Sequence, residues 1–172
     1  QPRGLGAVAK TLSMDMRAAT ALVGHMGLEL NLLTERPSDL DTLKSAIALH
    51  KRHRALLHDG DLVRIDTAPQ IIASGVIARD RSEALYSVAY VLSDPQVLPE
   101  RVRFAGLDPD RNYLVKLIWP TIWQAIKGPS AIEKLGLNQD GATLSGAALT
   151  QGGLQLPHAH PETCLLFYVE AI

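Results

Sequence analysis

The stretch Ile71-Ile72-Ala73-Ser74-Gly75-Val76-Ile77-Ala78-Arg79-Asp80-Arg81-Ser82-Glu83-Ala84-Leu85-Tyr86-Ser87-Val88-Ala89-Tyr90-Val91-Leu92 decides the fold. Its two arms are rich in the β-branched and aromatic side chains that suit a pleated surface, and a short polar turn, Asp80-Arg81-Ser82, separates them. This is the sequence form of an antiparallel hairpin. Side chains alternate along a strand, so Ala84, Tyr86, Val88, Tyr90 and Leu92 share one face of the second arm. Outward from the hairpin, further runs of period two predict strands at 62–66, 101–104, 113–119, 147–149 and 163–169, about seven in all with the hairpin arms at 71–79 and 83–92. Strands at such short spacing, without helices between them, argue for an antiparallel β-sandwich rather than a parallel α/β sheet. Residues 120–141 read as loop, because Gly128-Pro129-Ser130 breaks whichever element Ile122-Trp123-Gln124-Ala125-Ile126 begins.

Upstream of Gly60 the pattern is helical. Ser13 is placed to cap a helix through Arg17-Ala18-Ala19-Thr20-Ala21-Leu22-Val23, with Asp15 against its N-terminal dipole and Gly27 at its end. A second helix follows Pro37, with Ser38 as N-cap, Leu40, Leu43, Ile47 and Leu57 along one stripe, and Asp59-Gly60 as its stop. Lys44, Lys51, Arg52 and Arg54 form its solvated face. The fold class expected is therefore α+β, with helices over 1–60 and antiparallel strands over 61–172.

Composition narrows the function. The chain has 172 residues, 47% hydrophobic and 20% charged, enough for a substantial core. The formal charge of -1 supplies no basic excess for a nucleic-acid backbone. No apolar run approaches the roughly 20 residues that span a bilayer. The single cysteine, Cys164, excludes an internal disulfide and reads as a small buried thiol, so a reducing, cytoplasmic setting is the expectation. Gln1-Pro2-Arg3-Gly4 carries no initiator Met and leads into no signal-like segment, which suggests a start inside a longer chain.

Several side chains invite a chemical role, and each has a plainer one. His50, His53 and His58 lie on the second helix, but Lys51, Arg52 and Arg54 oppose a dication there, so packing or surface is preferred. His158 and His160 flank Ala159 between Pro157 and Pro161, a Pro-bounded loop before it is a ligand pair. Glycoside cleavage needs two carboxyl groups across a sugar, about 5 to 9.5 Å apart, and sequence spacing cannot supply that distance. Glu29 is the one acid in a suggestive setting, and a buried structural carboxylate paired with Arg17 is the favoured reading. Asp59, Asp61, Asp80, Asp94, Asp108, Asp110 and Asp140 adjoin turn residues and are expected to form turns. Ser74-Gly75 and Ser145-Gly146 lack the flanks of a nucleophile elbow, and Gly4-Leu5-Gly6 is too short for a phosphate loop. No catalytic, cofactor-binding or metal-ligating residue is nominated, and no cofactor is expected.

The run Arg17-Ala18-Ala19-Thr20-Ala21-Leu22-Val23-Gly24-His25-Met26-Gly27-Leu28-Glu29-Leu30-Asn31-Leu32, followed by Lys51, Arg54 and Gly60-Asp61, resembles the end of the catalytic barrel in family 36 glycoside hydrolases, the α-galactosidases. Asp80-Arg81-Ser82-Glu83-Ala84-Leu85, Gly106-Leu107-Asp108-Pro109-Asp110-Arg111-Asn112-Tyr113 and Leu144-Ser145-Gly146-Ala147-Ala148-Leu149 are similar, in the same order, to that family's C-terminal β-sandwich. Asn31 stands where the family more often has Asp. The resemblance implies a parent enzyme that removes terminal α-linked galactose with retention, through one Asp nucleophile and one Asp acid/base on barrel strands. Neither the Lys-Trp pair preceding the nucleophile nor the Gly- and Ser-rich acid/base motif occurs here, so no catalytic residue is carried over and the piece itself is expected to be inactive. It implies residues 1–60 as the helical remnant of a (β/α)8 barrel and 61–172 as the sandwich. Its partners would be the rest of the barrel, an α-galactoside substrate of the parent, and copies of itself in a homo-oligomer, with no nucleic acid and no membrane.

Two other readings compete. An independent carbohydrate-binding module would present exposed aromatics, and at 5% aromatic content only Trp119 and Trp123 are candidates, since Tyr86 and Tyr90 alternate as core residues do. A protein-interaction domain would use the apolar stripes of the helical start.

Overall fold

The computed structural model describes residues 12–93, 100–120, 126–127, 134, 136–137 and 140–172. Helix α1 (Met14–Leu22) starts as its sequence dictates, with Ser13 Oγ accepting the Met16 N–H at 3.2 Å. It ends at Leu22 with Val23 as its cap, earlier than the expected Gly27, and a surface segment runs on to a short 3-10 turn over Leu32–Thr34. Asn31 starts that turn, its Oδ1 accepting from Leu33 N at 3.1 Å. An amide oxygen does this work without a formal charge.

Helix α2 (Pro37–Asp59) corrects the expected cap. Pro37 is the first helical residue, Arg36 occupies the cap position without a side-chain bond, and Ser38 lies inside the helix. Proline suits that position because its φ is already helical and its missing N–H would have had no partner. Arg36 instead ion-pairs with Asp39 at 2.8 Å. The buried stripe is Thr42, Leu43, Ala46, His53, Leu56 and Leu57, so Leu40 and Ile47 lie at its margin. Lys44, Lys51, Arg52 and Arg54 are exposed as expected.

Strands β1 (Asp61–Ile65), β2 (Ile71–Ile77), β3 (Glu83–Tyr90), β5 (Asn112–Trp119), β7 (Ala142–Ser145) and β10 (Thr163–Ala171) form one antiparallel sheet in the order β1-β2-β3-β10-β5-β7. Two short ladders accompany it, β4 (Arg101–Val102) with β8 (Leu154–Gln155) and β6 (Ile126–Lys127) with β9 (His158–Ala159). The hairpin of β2 and β3 turns through Arg81 at φ 59, and Asp80 Oδ1 accepts from both Ser82 N and Ser82 Oγ. Leu92 falls beyond β3 and is 56% exposed, outside the face it was expected to share.

The expected strand at 147–149 is not one. Residues Ala148–Gly152 form a π-helical turn, and the edge strand lies just before it. The reason is local: Gly146 N donates to Arg111 O at 2.7 Å, Ala147 N to Pro109 O at 3.1 Å, and Ser145 Oγ accepts from Ala148 N. Those bonds commit the backbone to the 108–111 loop instead of a ladder. A Cβ on Gly146 would lie 1.8 Å from Asp108 O, so only glycine permits the approach. Of the region read as loop, 126–127 pair with β9 and Leu137 O accepts from Leu117 N at 2.7 Å; most of the remainder, with Trp123, lies outside the described residues, as do Asp94 and Gly4-Leu5-Gly6.

Each sheet face has its own core. On one, Tyr86, Val88, Tyr90, Tyr113, Val115, Leu165 and Phe167 pack with Phe104, Leu107, Leu149 and Leu154 from the loops and short ladders. On the other, Val76, Leu85, Cys164 and Leu166 pack with Ala18, Ala19 and Leu22 of α1 and Ala46, Leu56 and Leu57 of α2. The alanines let the helix backbones come close. Trp119 belongs to the helical side. The β5–β10 register shifts between Leu166 and Phe167, pairing Leu117 with Phe167 but Trp119 with Leu166, and this bulge turns the indole across the sheet.

Candidate functional site

A polar groove on the described surface is built from secondary structure on both sides. Helix α2 contributes Leu49, Arg52 and His53; the sheet contributes Glu83 of β3, Leu114, Lys116 and Ile118 of β5, and Tyr168 and Glu170 of β10. The groove has a volume of about 490 Å3. Register explains its composition: Glu170 stands opposite both Glu83 and Leu114, and Tyr168 stands opposite both Leu85 and Lys116. Two carboxylates side by side on neighbouring strands repel, so this pair is not a device for sheet stability.

His53 is 7% exposed and its ring packs against Tyr168, centroids 4.6 Å apart at 46°. Burial lowers its pKa from the ordinary 6.5, with Glu83 opposing and Arg52 assisting. The imidazole is therefore neutral near pH 7, with one donor and one acceptor nitrogen. Tyr168 Oη donates to Glu83 Oε2 at 2.8 Å, and its pKa is raised by burial first and by that carboxylate second. Among the described residues, neither Arg52 nor Lys116 forms an ion pair.

The other sequence candidates disperse. Glu29 is exposed, not buried, and no ion pair joins it to Arg17; both line a separate cavity of about 240 Å3 beside α1. The cause is the early end of α1, which leaves Glu29 on the surface segment. His25, His50 and His58 gather, with centroids 4.7 Å apart for His25–His58 and 5.9 Å for His50–His58. Among the described residues no set of three His, Cys, Asp or Glu has metal-binding geometry. His158 sits in the short strand β9, and His160 is exposed beyond it. Asp80 and Asp108 form the turns expected, Asp108 Oδ1 accepting from Asp110 N at 3.0 Å and Oδ2 facing Arg111 at 3.5 Å.

Trp119 is no stacking platform. It is 1% exposed, and its Nε1 donates to Asp15 O of α1 at 3.2 Å. The tyrosines of the opposite face are core residues whose hydroxyls tie down loops: Tyr86 to Ala105 O at 2.7 Å, Tyr90 to Pro157 O at 2.8 Å and Tyr113 to Arg81 O at 3.0 Å. Gly75 faces the Tyr86 ring so closely that a Cβ would come within 2.4 Å of it. Cys164 is buried, which pushes its thiol pKa up to about 11. No described nucleophile, base and anion-stabilising donor converge.

Comparison with known proteins decides the family. The model of the glycosyl hydrolase family 36 C-terminal domain matches residues 71–168, which span the hairpin, the central strands and the π-helical turn. The chain belongs to the glycosyl hydrolase family 36 C-terminal domain family. Among relatives of that family, an alpha-galactosidase of Escherichia coli is 34% identical over 162 residues, covering 92% of this chain and 23% of its own length. The bifunctional alpha-galactosidase/sucrose kinase AgaSK of Mediterraneibacter gnavus is 25% identical over 150 residues, covering 86% and 14%. The solved galactosidase domain of AgaSK superposes with a TM-score of 0.73 at 24% identity, over 91% of this chain and 19% of that one. The family 36 alpha-galactosidase AgaB of Geobacillus stearothermophilus gives 0.71 at 23% identity, over 91% and 19%. The chain thus spans less than a quarter of the length of these relatives. No helix among the described residues is long and apolar enough to cross a membrane.

Proposed function

We propose that this chain is the non-catalytic C-terminal portion of a retaining α-galactosidase, supporting the barrel that carries the chemistry. The observation behind this reading is the family 36 C-terminal match over 71–168 combined with coverage of only 23% of the Escherichia coli alpha-galactosidase. AgaA of Geobacillus stearothermophilus has been crystallised with raffinose and with stachyose, so the parent's substrates are taken to be oligosaccharides ending in α-linked galactose. Residues 1–60 supply the last helical part of a (β/α)8 barrel, and 61–172 the sandwich appended to it.

A physical feature supports the barrel assignment. Leu28, Leu32 and Leu33 on the segment after α1 are 46%, 51% and 94% exposed, an apolar run that a larger body would cover. The same covering accounts for a scaffold role and for contacts between copies in an oligomer. Catalytic carboxylates lie upstream in this reading, which makes the chain inactive by itself.

The test compares two proteins, this chain and the same chain with its natural upstream sequence, each assayed with p-nitrophenyl α-galactoside. The longer protein is expected to turn over substrate and to carry an Asp after a Lys-Trp pair. A longer protein without α-galactosidase activity, or without two Asp on barrel strands, would overturn the assignment.

A further inference from the structure

We infer that the groove between α2 and the β3–β10–β5 part of the sheet is a binding site for a neutral polyhydroxylated ligand, the size of one or two sugar residues. Four observations converge. Arg52 and Lys116 are matched by Glu83 and Glu170, so the lining carries no net charge and favours neither an anion nor a cation. Those charges have not collapsed onto one another, because among the described residues neither cation is ion-paired. Glu83 and Glu170 are held side by side by strand register, at a cost a purely structural sheet has no reason to bear. The volume, about 490 Å3, lies inside the range of roughly 300–1,000 Å3 typical of small-molecule sites.

The arrangement matches vicinal hydroxyls. Each hydroxyl donates once and accepts twice, and the groove offers both kinds of partner, the Glu83 and Glu170 carboxylates as acceptors and the Arg52 guanidinium and Lys116 ammonium as donors. His53 adds a neutral ring, and none of its described contacts is a hydrogen bond to another residue; Tyr168 holds Glu83 in place through its hydroxyl. Leu49, Leu114 and Ile118 give an apolar floor for the C–H face of a pyranose. This inference goes beyond the proposed function and does not depend on it, since the groove is built from residues of this chain alone.

The test is isothermal titration of the full chain with D-galactose, raffinose, glycine and inorganic phosphate, repeated on Lys116→Ala and Tyr168→Phe. Circular dichroism and the thermal midpoint show whether each variant is folded. The sugars are expected to bind in the millimolar range, with Lys116→Ala and Tyr168→Phe each weakening them by about three- to tenfold. Amide shifts in a heteronuclear NMR titration should cluster at Arg52, His53, Glu83, Lys116 and Tyr168. Absence of sugar binding, sugar binding unchanged in folded Lys116→Ala, or binding of phosphate or glycine alone would each overturn the inference.

Discussion

The two faces of the six-stranded sheet are closed in different ways. The face carrying Tyr86, Phe167 and Val115 is sealed by the chain's own loops, with Phe104 stacked on Tyr86 at 4.3 Å and three tyrosine hydroxyls fastening loop carbonyls. The opposite face is sealed by α1 and α2 over Val76, Leu85, Cys164 and Leu166, and then gives way to a charged groove at Glu83, Lys116 and Glu170. The first face is covered mainly by loops and short ladders. The other mixes core with unpaired charge, and that contrast separates the part of the molecule made for stability from the part available for contact.

Phe104→Ala empties the centre of the sealed face and is expected to cost about 3–5 kcal/mol of unfolding free energy by denaturant titration. Leu22→Ala on the helical face should cost less, about 2–3 kcal/mol, because α1 is a short helix of 9 residues that can settle into the gap. Equal or reversed costs would mean that the helices, not the loops, close the main core. Trp119→Phe keeps most of the ring but removes the bond to Asp15 O, with an expected loss of about 1 kcal/mol.

The smallest effect is in pH. His53 has its pKa lowered in the fold, so on acidification below 6.5 the unfolded chain takes up the proton first and stability falls until the folded-state pKa is reached. His53→Gln should flatten the part of the profile that lies on the acid side of pH 6.5. Asp15, whose pKa is raised mainly by burial, acts with the opposite sign, adding stability as pH falls through its raised folded-state value toward 3.8. Parallel profiles for the wild type and His53→Gln would show that the imidazole is not desolvated as described.

The hairpin was legible because its two arms alternate and its turn is polar, and every inner-face residue from Ala84 to Tyr90 sits where alternation put it. The side chosen by Trp119 was not, since Tyr113, Val115, Leu117 and Trp119 alternate without a break and only the β10 register reveals the bulge. Ala147-Ala148-Leu149 read as a strand because apolar runs are ambiguous, and the bonds that bend it come from residues 109 and 111. The groove was hidden for a related reason: its charges come from separate strands and a helix, and only pairing brings them together. A signal existed in His53, which falls in step with Ala46 and Leu56 on the buried stripe. Glu29 misled because its setting depends on where α1 stops, which helix propensity does not determine.

The proposed supporting role makes a direct demand on the isolated chain. The most direct measurement is the rate of p-nitrophenyl α-galactoside hydrolysis by the purified 172-residue chain, with circular dichroism confirming that the chain under assay is folded. A rate indistinguishable from buffer is expected; turnover above that background by the folded chain would contradict the proposed role.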